Sequence, residues 1–351
     1  MAAVPDKPAV TVILPVLNEA ACIERALAAV LGQDYPRDRL EILVVDGMST
    51  DETRTIVDEL GHSHPEARLR LIDNPGRIVP TGMNIGLGQA SGDIVVRVDG
   101  HCEIAADYVR RCVEHILKDG VDGVGGSVHT VGETGTAEAI AAAMSSRFGV
   151  GDSAFRTEPG KTGPADTIPF PAYTRSVIRM AGGYDEELVR CQDDEYNYRL
   201  RELGAKIMLA ADIQSTYRSR ASLRSLWKQY FQYGFWKVRV LQKHPKQMRP
   251  RQFVPPLFAL CLFLCLCLSI FFHWGWTSLA VVASCYALAN LGASAITAAR
   301  KDWKCLPLLP LVYAILHLSY GFGFLVGFVK FWNRWGDREG RVPRFDAQRA
   351  R

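Results

Sequence analysis

Residues 10 to 46 read VTVILPVLNEAACIERALAAVLGQDYPRDRLEILVVD, and their pattern predicts the first structural unit of the chain. Two runs rich in Val, Ile and Leu, Val10–Val16 and Leu40–Asp46, flank a helical pattern over Ala20–Leu31. Strands that are apolar on both faces are typical of a parallel sheet covered by helices on both sides. The stretch therefore predicts a βαβ unit.

The same alternation continues along the chain. It predicts further strands at Leu69–Asp73 and Asp93–Asp99, and helices at Glu52–Leu60 and Thr81–Ala90. The S-x-x-E pattern of Ser49 and Glu52 predicts the start of the first of these helices. The fold class is thus α/β with a mostly parallel sheet, over residues 1–222. In such sheets ligands bind beyond the carboxyl ends of the strands. The polar residues predicted there are Asn18, Glu19, Asp46, Asp73, Asn74 and Asp99 to His101.

Composition separates the C-terminal part of the chain from the rest. The chain has 351 residues and a net charge of +4, and residues 251–351 carry eleven Lys and Arg against four Asp and Glu. The excess of basic residues in an apolar region indicates a membrane surface. The first 250 residues carry no basic patch with a nucleic-acid signature, so no nucleic-acid partner is predicted. Nine cysteines without CxxC spacing predict reduced thiols.

Three apolar stretches, 253–273, 276–299 and 306–332, make residues 253–333 a predicted transmembrane region. Basic residues flank the first two, which predicts a hairpin with both ends, and the front domain, in the cytoplasm of a multi-pass inner-membrane protein. The third leaves two alternatives. It either crosses once and places the basic tail 334–351 outside, or it re-enters, with Gly321, Gly323 and Gly327 allowing close packing or a bend.

Residues 223–252 mix aromatic and basic side chains, which is typical of an amphipathic helix in the membrane interface. Packing of some of these aromatic rings in the protein core is an alternative, and both can hold at once.

Four runs resemble family 2 glycosyltransferases of the GT-A fold. They are TVILPVLNEAACIERAL (11–27), LEILVVDGMSTDET (40–53), NIGLGQASGDIVVRVDGH (84–101) and GGYDEELVRCQDDEYNYRLRELG (182–204). The motifs occur in the family's order between about Thr11 and Tyr233. The DGH and QDDE segments and the membrane region are most similar to the succinoglycan-type exopolysaccharide glucosyltransferases.

The resemblance implies a Rossmann-like domain that binds a nucleotide-sugar. Asp46 ends an apolar strand and can accept hydrogen bonds from a base or ribose, although it could instead cap a turn. Arg77 suits the phosphates of the nucleotide, because the planar guanidinium of arginine forms paired hydrogen bonds with phosphate. Asn84 could alternatively be an internal helix donor. The predicted nucleotide-sugar-binding residues are Pro15, Leu17, Glu19, Asp46, Arg77, Asn84 and Asp99.

Asp99-Gly100-His101 is a variant of the family's D-x-D motif, which binds a divalent cation. Asp99 is a hard oxygen ligand suited to Mg²⁺ or Mn²⁺, and the imidazole of His101 shifts the preference toward Mn²⁺. A structural, hydrogen-bonded histidine is the alternative.

Aligned on the family's E-D motif, Asp193 is the predicted catalytic base. Asp194 or Glu195 takes this role if the helix begins one residue later, and an acidic helix N-terminus is a purely structural explanation. Gly183 and Tyr184 belong to a segment that resembles the family's loop near donor and acceptor. Gln229 and Tyr233 lie where processive relatives carry Q-x-x-R-W.

The predicted function is inverting, metal-dependent transfer of a sugar, glucose above all, from a UDP-sugar to a polyprenyl-diphosphate-linked saccharide. Two alternatives stay open. One is a polyprenyl-phosphate glycosyltransferase, and the other is a noncatalytic membrane subunit that binds a sugar nucleotide.

Overall fold

The computed structural model describes residues 7–158, 160–219 and 222–345. They form two compact units. The first, here called the sheet unit, comprises Met1–His129, Glu158–Tyr217 and Gly340–Arg351, and the second, the helical unit, comprises Thr130–Thr157 and Arg218–Glu339.

One mixed sheet organises the sheet unit. Its strands are β1 (Val10–Val16), β2 (Leu40–Asp46), β3 (Arg68–Asp73), β4 (Ile94–Arg97), β5 (Cys102–Ile104), β6 (Gly123–Val131), β7 (Gly163–Pro164), β8 (Ala172–Thr174) and β9 (Ile207–Arg218). Their order is β3-β2-β1-β4-β8-β6-β9-β5, and β7 pairs with β9. Pairing is parallel from β3 to β4 and antiparallel between β4 and β8. The predicted α/β fold is confirmed.

The register of the parallel strands explains where a site can form. Every residue of β1 and β2 is buried, as expected for central strands covered on both faces. Val16 lies beside Asp46, and Asp46 beside Asp73. The carboxyl ends of β1, β2 and β3 therefore meet at one edge of the sheet.

The sheet unit contains the helices α1 (Ile23–Leu31), α2 (Thr53–Ser63), α3 (Val79–Gln89), α4 (Tyr108–Asp119), α8 (Arg175–Ala181) and α9 (Gln192–Glu202). The helical unit contains α5 (Gly135–Met144), α6 (Arg147–Val150), α7 (Ala154–Thr157), α10 (Leu223–Lys243), α11 (Val254–Phe271), α12 (His273–Arg300) and α13 (Leu309–Lys330).

Three helical segments are long and apolar enough to cross a membrane. They are Pro250–Phe271, His273–Arg300 and Leu309–Lys330, with mean hydropathies of 2.5, 1.7 and 1.7. These segments match the three predicted apolar stretches. Residues 274 and 275, which separate the first two predicted stretches, belong to α12, because this helix begins two residues after α11 ends.

A buried carboxylate ties β2 to its neighbours. Oε2 of Glu41 accepts hydrogen bonds from the Thr11 hydroxyl (2.7 Å) and from the backbone N–H and hydroxyl of Ser91 (both 2.9 Å). Burial opposes ionisation, but these hydrogen bonds hold the pKa of Glu41 below its ordinary value of 4.5. A lowered pKa contributes stability that is present above the unfolded-state pKa and is lost as the pH falls through the folded-state pKa.

Glu41→Gln is therefore expected to destabilise the protein by about 1–3 kcal/mol at pH 7, because charge-assisted hydrogen bonds are lost. The difference from the wild type should shrink below about pH 4, where the wild-type carboxylate also becomes protonated. Thermal unfolding in detergent at both pH values measures it. Glu59→Gln, on the exposed face of α2, is the control and should change little. An equal destabilisation by Glu41→Gln at both pH values would contradict this role of the charge.

Candidate active site

Asp46 is a fully buried carboxylate at the end of β2. Its Oδ2 accepts hydrogen bonds from Arg54 (2.7 Å) and from the backbone N–H of Ser49 (3.0 Å). Arg54 also pairs with Asp73, at 2.8 Å. Within the described part of the chain, Oδ1 of Asp46 is buried without a hydrogen-bond partner. An orphaned buried acceptor is costly, so an N–H or O–H donor from a ligand would satisfy it.

The loops that follow β1 and β3 lie beside Asp46. A Cβ placed on Gly47 would come within 3.2 Å of the Leu17 Cβ and 3.4 Å of the Arg77 Cα. Leu17 and Met48 are exposed, and the Arg77 guanidinium lies 3.4 Å from the Met48 carbonyl oxygen. The structure thus brings Leu17 and Arg77 to the same edge as Asp46.

The other predicted residue of this loop region, Pro15, is buried inside β1. A Cβ on Gly82 of α3 would lie 3.5 Å from the Pro15 Cβ. Pro15 therefore packs between β1 and α3.

A buried arginine joins two of the predicted catalytic carboxylates. The guanidinium of Arg97, in β4, donates through Nε to Oδ1 of Asp99 (2.8 Å). Through Nη1 it pairs with Asp193, which lies in the first turn of α9. The side chain of Arg97 is 6% exposed, whereas that of Asp99 is 22% and that of Asp193 40% exposed. The predicted metal ligand, Asp99, and the predicted base, Asp193, thus both contact the Arg97 guanidinium, and both carboxylates remain accessible.

The electrostatics around Asp99 favour its charged form. Burial alone would raise the pKa of this carboxyl, but Arg97 and His101 hold it below its ordinary value. A carboxylate that stays ionised at neutral pH is suited to binding a divalent cation.

His101 is oriented by Glu19. Its Nδ1 lies 2.9 Å from Oε1 of Glu19, and its ring contacts Tyr217 edge-on with centroids 5.4 Å apart. In histidines that bind metals, the N–H of the second ring nitrogen commonly donates a hydrogen bond to a carboxylate in this way. Glu19, predicted to bind the nucleotide-sugar, thus contacts the His101 ring instead.

No three His, Cys, Asp or Glu side chains among residues 7–158, 160–219 and 222–345 form a cluster that could hold a metal ion by itself. Asp99 and His101 therefore fit a cation only if oxygen atoms of a bound diphosphate complete its coordination.

The acidic start of α9 contains residues with different environments. Glu195 is buried and forms an ion pair with Arg199 at 2.8 Å, which fixes it as a structural residue. Asn197 donates to the backbone oxygen of Asp193 (2.9 Å) and steadies that turn. Asp193 faces Arg97, and Asp194 is partly exposed. The arrangement favours Asp193 over Glu195 as the base.

The loop that carries Gly183 and Tyr184 is anchored by Asn84. The Asn84 amide donates to the Tyr184 carbonyl oxygen (2.9 Å), and its oxygen accepts from the Tyr184 N–H (2.7 Å). The Tyr184 ring stacks on Tyr196 of α9 with centroids 4.2 Å apart, and burial raises the pKa of Tyr184 to about 12. Asn84 therefore supports this loop through hydrogen bonds that leave its own helix, α3, and not as a donor inside that helix.

Gln229 and Tyr233 belong to the helical unit. The Gln229 amide donates to the Tyr233 hydroxyl (3.1 Å) one turn further along α10. The same helix lines a groove of about 560 Å³ with Arg224, Trp227, Lys228, Phe231, Gln232, Phe235 and Trp236.

Sequence reasoning missed the two arginines that organise the site, Arg54 and Arg97. A signal existed for Arg97, because a charged residue inside an otherwise apolar, central strand needs a buried partner. Arg54 follows the DGMSTDET motif directly and carries no comparable signal.

Comparison with known proteins places the chain in a family. Residues 11–179 match the model of Glycosyl transferase family 2. Over 316 residues the chain is 32% identical to the succinoglycan biosynthesis protein ExoA of Rhizobium meliloti (strain 1021), covering 89% of this chain and 93% of that protein. The chain belongs to glycosyl transferase family 2, and the resemblance predicted from its motifs is confirmed.

Two further similarities cover most of the chain. One is to the dolichyl N-acetyl-alpha-D-glucosaminyl phosphate 3-beta-D-2,3-diacetamido-2,3-dideoxy-beta-D-glucuronosyltransferase of Methanococcus voltae, which is 28% identical over 67% of this chain and 74% of that enzyme. The other is structural. The mannosyltransferase PcManGT of Pyrobaculum calidifontis, solved with GDP-Man and Mn²⁺, superposes with a TM-score of 0.58 at 22% identity, covering 92% and 90% of the two chains. This similarity confirms the GT-A fold.

Proposed function

We propose that this family 2 glycosyltransferase is an inverting, metal-dependent enzyme that transfers glucose from UDP-glucose to a polyprenyl-diphosphate-linked saccharide. The observation that carries the proposal is the shared contact of Arg97 with Asp99 and Asp193. This contact supports a site in which Asp99 would hold the cation and Asp193 would act as the base for the acceptor hydroxyl.

Asp46 and Arg77 support nucleotide binding. The unpartnered Oδ1 of Asp46 would accept a hydrogen bond from the base or ribose of the donor. The Arg77 guanidinium, at the same edge of the sheet, suits the diphosphate because it offers paired charge-assisted hydrogen bonds. The exposed Leu17 provides apolar surface for the base.

Transfer needs one displacement. The acceptor hydroxyl oxygen bonds to the anomeric carbon as the bond from that carbon to the diphosphate breaks. Asp193 takes the hydroxyl proton, and UDP leaves with the electron pair. An α-linked donor then gives a β-linked product, and no covalent intermediate with the enzyme is needed.

Asp99 and His101 are the residues that would hold the cation, with Glu19 orienting the imidazole. When bound, a Mn²⁺ or Mg²⁺ ion offsets the negative charge that develops on the departing diphosphate.

The acceptor side of the proposal is supported by α10 and by the relatives. The groove along α10 combines aromatic rings with the basic Arg224 and Lys228, which suits the apolar chain and the diphosphate of a polyprenyl carrier. One relative is a succinoglycan biosynthesis protein, and another is named for a dolichyl-linked saccharide. The product would therefore enter exopolysaccharide or cell-surface glycan synthesis, with the sheet unit on the cytoplasmic side of the membrane.

Metal dependence tests the proposal. With purified protein, UDP-glucose and a lipid extract, UDP release should vanish in excess chelator and return with Mn²⁺ more than with Mg²⁺. His101→Asp restores the common D-x-D motif and is expected to shift the preference toward Mg²⁺. Glu19→Gln is the companion variant, because it should lower Mn²⁺ affinity about 10- to 100-fold while Asp99 and His101 are kept. Full activity in excess chelator would overturn the metal assignment.

A further inference from the structure

The C-terminal segment Gly340–Phe345 pairs with the loop that carries Gly183 and Tyr184, and both belong to the sheet unit. The Gly183 N–H donates to the Pro343 carbonyl oxygen (2.8 Å), and the Glu186 N–H donates to the Arg341 carbonyl oxygen (3.0 Å). The Arg341 N–H donates to Oδ1 of Asp185 (2.8 Å), a carboxylate that is 1% exposed. The contact is therefore built from backbone groups and a buried charge.

The paired glycines of the GGYDEE sequence are explained by this segment. Gly182 has a φ of +79°, and a Cβ there would lie 2.8 Å from the Pro343 carbonyl oxygen. A Cβ on Gly183 would lie 2.9 Å from the Pro343 Cγ and would also collide with Asn84. Only residues without a side chain allow the segment to approach so closely.

We propose that the C-terminal segment is a fixed part of the catalytic sheet unit, and that α13 therefore does not cross the membrane. The chain leaves the sheet unit after Tyr217 and returns to it at Gly340. Both points lie on one side of the membrane, so the number of crossings between them is even. Since α11 and α12 are joined by Phe272 alone, they form a two-helix hairpin, and α13 is the helix left over.

Packing inside the helical unit agrees with this count. Glycines of α13 lie against the backbone of α10: a Cβ on Gly323 would collide with the Phe231 carbonyl oxygen, and one on Gly327 would lie 2.5 Å from that of Phe235. Residues of α10 such as the buried Lys237 and Arg239 make it too polar to cross a bilayer. The helix α13 thus packs closely on a helix that does not cross the bilayer, and it also contacts α11 through Gly321 and α12 through Tyr313.

Polar contacts hold the end of α13 at the end of α10. The Gln242 amide donates to the Phe331 carbonyl oxygen (2.6 Å), and the fully buried Arg239 pairs with Asp337 at 3.4 Å. Asp337 stands three residues before Gly340, a stretch of chain that spans at most about 10 Å. The hydrocarbon core is about 30 Å thick, so it cannot separate these two contacts.

The assignment resolves the conflict left by the charges of the tail. One crossing by α13 would place Arg334, Arg338, Arg341 and Arg344 outside, against the positive-inside rule. With α13 on the inner side, these arginines lie on the same side as Arg300 and Lys301, which follow the hairpin.

Accessibility labelling tests the topology without reference to activity. In a chain whose nine native cysteines are replaced, single cysteines are introduced in the sheet unit (Glu202→Cys), after α13 (Arg338→Cys) and next to the hairpin turn (Trp274→Cys), all at exposed positions. A membrane-impermeant maleimide should label Glu202→Cys and Arg338→Cys equally, and only after the cells are permeabilised. It should label Trp274→Cys already in sealed cells. If Arg338→Cys is labelled in sealed cells, as Trp274→Cys is, while Glu202→Cys is not, the proposal is overturned.

A matched pair of variants tests the contact itself. Arg341→Ala keeps the backbone N–H that donates a hydrogen bond to Asp185, and Arg341→Pro removes this N–H. Hydrogen exchange at the Gly183 and Glu186 amides should speed up in Arg341→Pro and stay near the wild-type rate in Arg341→Ala. If the proposed transfer reaction is correct, kcat should also fall about tenfold or more in the proline variant alone, since Tyr184 rests on this loop. Unchanged exchange in Arg341→Pro would show that the segment does not hold the loop.

Discussion

Asp193→Asn is expected to lower sugar transfer by ~10² to 10⁴, the range typical for loss of a general base. The amide keeps the shape of the carboxylate and can still accept a hydrogen bond from Arg97, but it cannot take the acceptor proton. UDP binding should stay within about a factor of two of the wild type, because the nucleotide contacts proposed for Asp46 and Arg77 are untouched. UDP release and a UDP titration with Mn²⁺ present measure the two effects separately.

The neighbouring acids provide the controls. Asp194→Asn should retain transfer, since Asp193 is the acid that contacts Arg97. Glu195→Gln removes the ion pair with Arg199 and should lower thermal stability, with transfer falling only as far as the folded fraction falls. A dead Asp194→Asn beside an active Asp193→Asn would move the base by one residue. If both variants transfer normally, the base assignment is wrong, and a lipid phosphate, which needs little help from a base, becomes the favoured acceptor.

Asp99→Asn is expected to impair binding and turnover together. If Asp99 is a metal ligand as proposed, its loss should weaken Mn²⁺-dependent UDP binding at least 10- to 100-fold, the range seen even for residues that only hydrogen-bond to metal ligands. Transfer should fall at least as far, because charge on the departing diphosphate is then less well offset.

A UDP titration with and without Mn²⁺ measures this effect. Asp73→Asn is a matched control, since it also removes a carboxylate that is paired with an arginine, at the neighbouring strand end. It should leave the Mn²⁺ dependence intact. If UDP binding by Asp99→Asn keeps the wild-type response to Mn²⁺, Asp99 is not a ligand.

Local sequence pattern was sufficient for the parallel half of the sheet. The predicted strands Val10–Val16 and Leu40–Asp46 match the structure at both ends, because buried strands carry uninterrupted Val, Ile and Leu and end where a polar residue must reach the edge. The three apolar helices could be predicted for the same reason, since length and hydropathy are properties of one segment.

Helix starts at the site depended on contacts that local pattern does not contain. The S-x-x-E pattern at Ser49 was wrong as a helix start, since α2 begins at Thr53. The Ser49 hydroxyl instead accepts from the Asn18 N–H (2.8 Å), and the Thr53 hydroxyl accepts from the Glu19 N–H (2.8 Å). These bonds join two loops about thirty residues apart.

The contacts between the candidate site residues could not be predicted from the sequence either. Arg97 and Asp193 are 96 positions apart, and Glu19 and His101 are 82 apart. Neither pairing has a spacing signal, because only the folded sheet brings the strand ends and α9 together. The pairing of the C-terminal segment with the Gly183 loop is another contact of this kind.

Transfer of labelled glucose to lipid measures the proposed reaction itself. Purified protein is incubated with Mn²⁺, UDP-[¹⁴C]glucose and a lipid extract that contains polyprenyl-diphosphate-linked saccharides, and label in the lipid fraction is compared with UDP released. The expected result is one glucose transferred per UDP, in a β linkage, with both signals lost in Asp193→Asn. Binding of UDP-glucose without release of UDP, or release of UDP with no label in the lipid fraction, would contradict the proposed transfer to lipid.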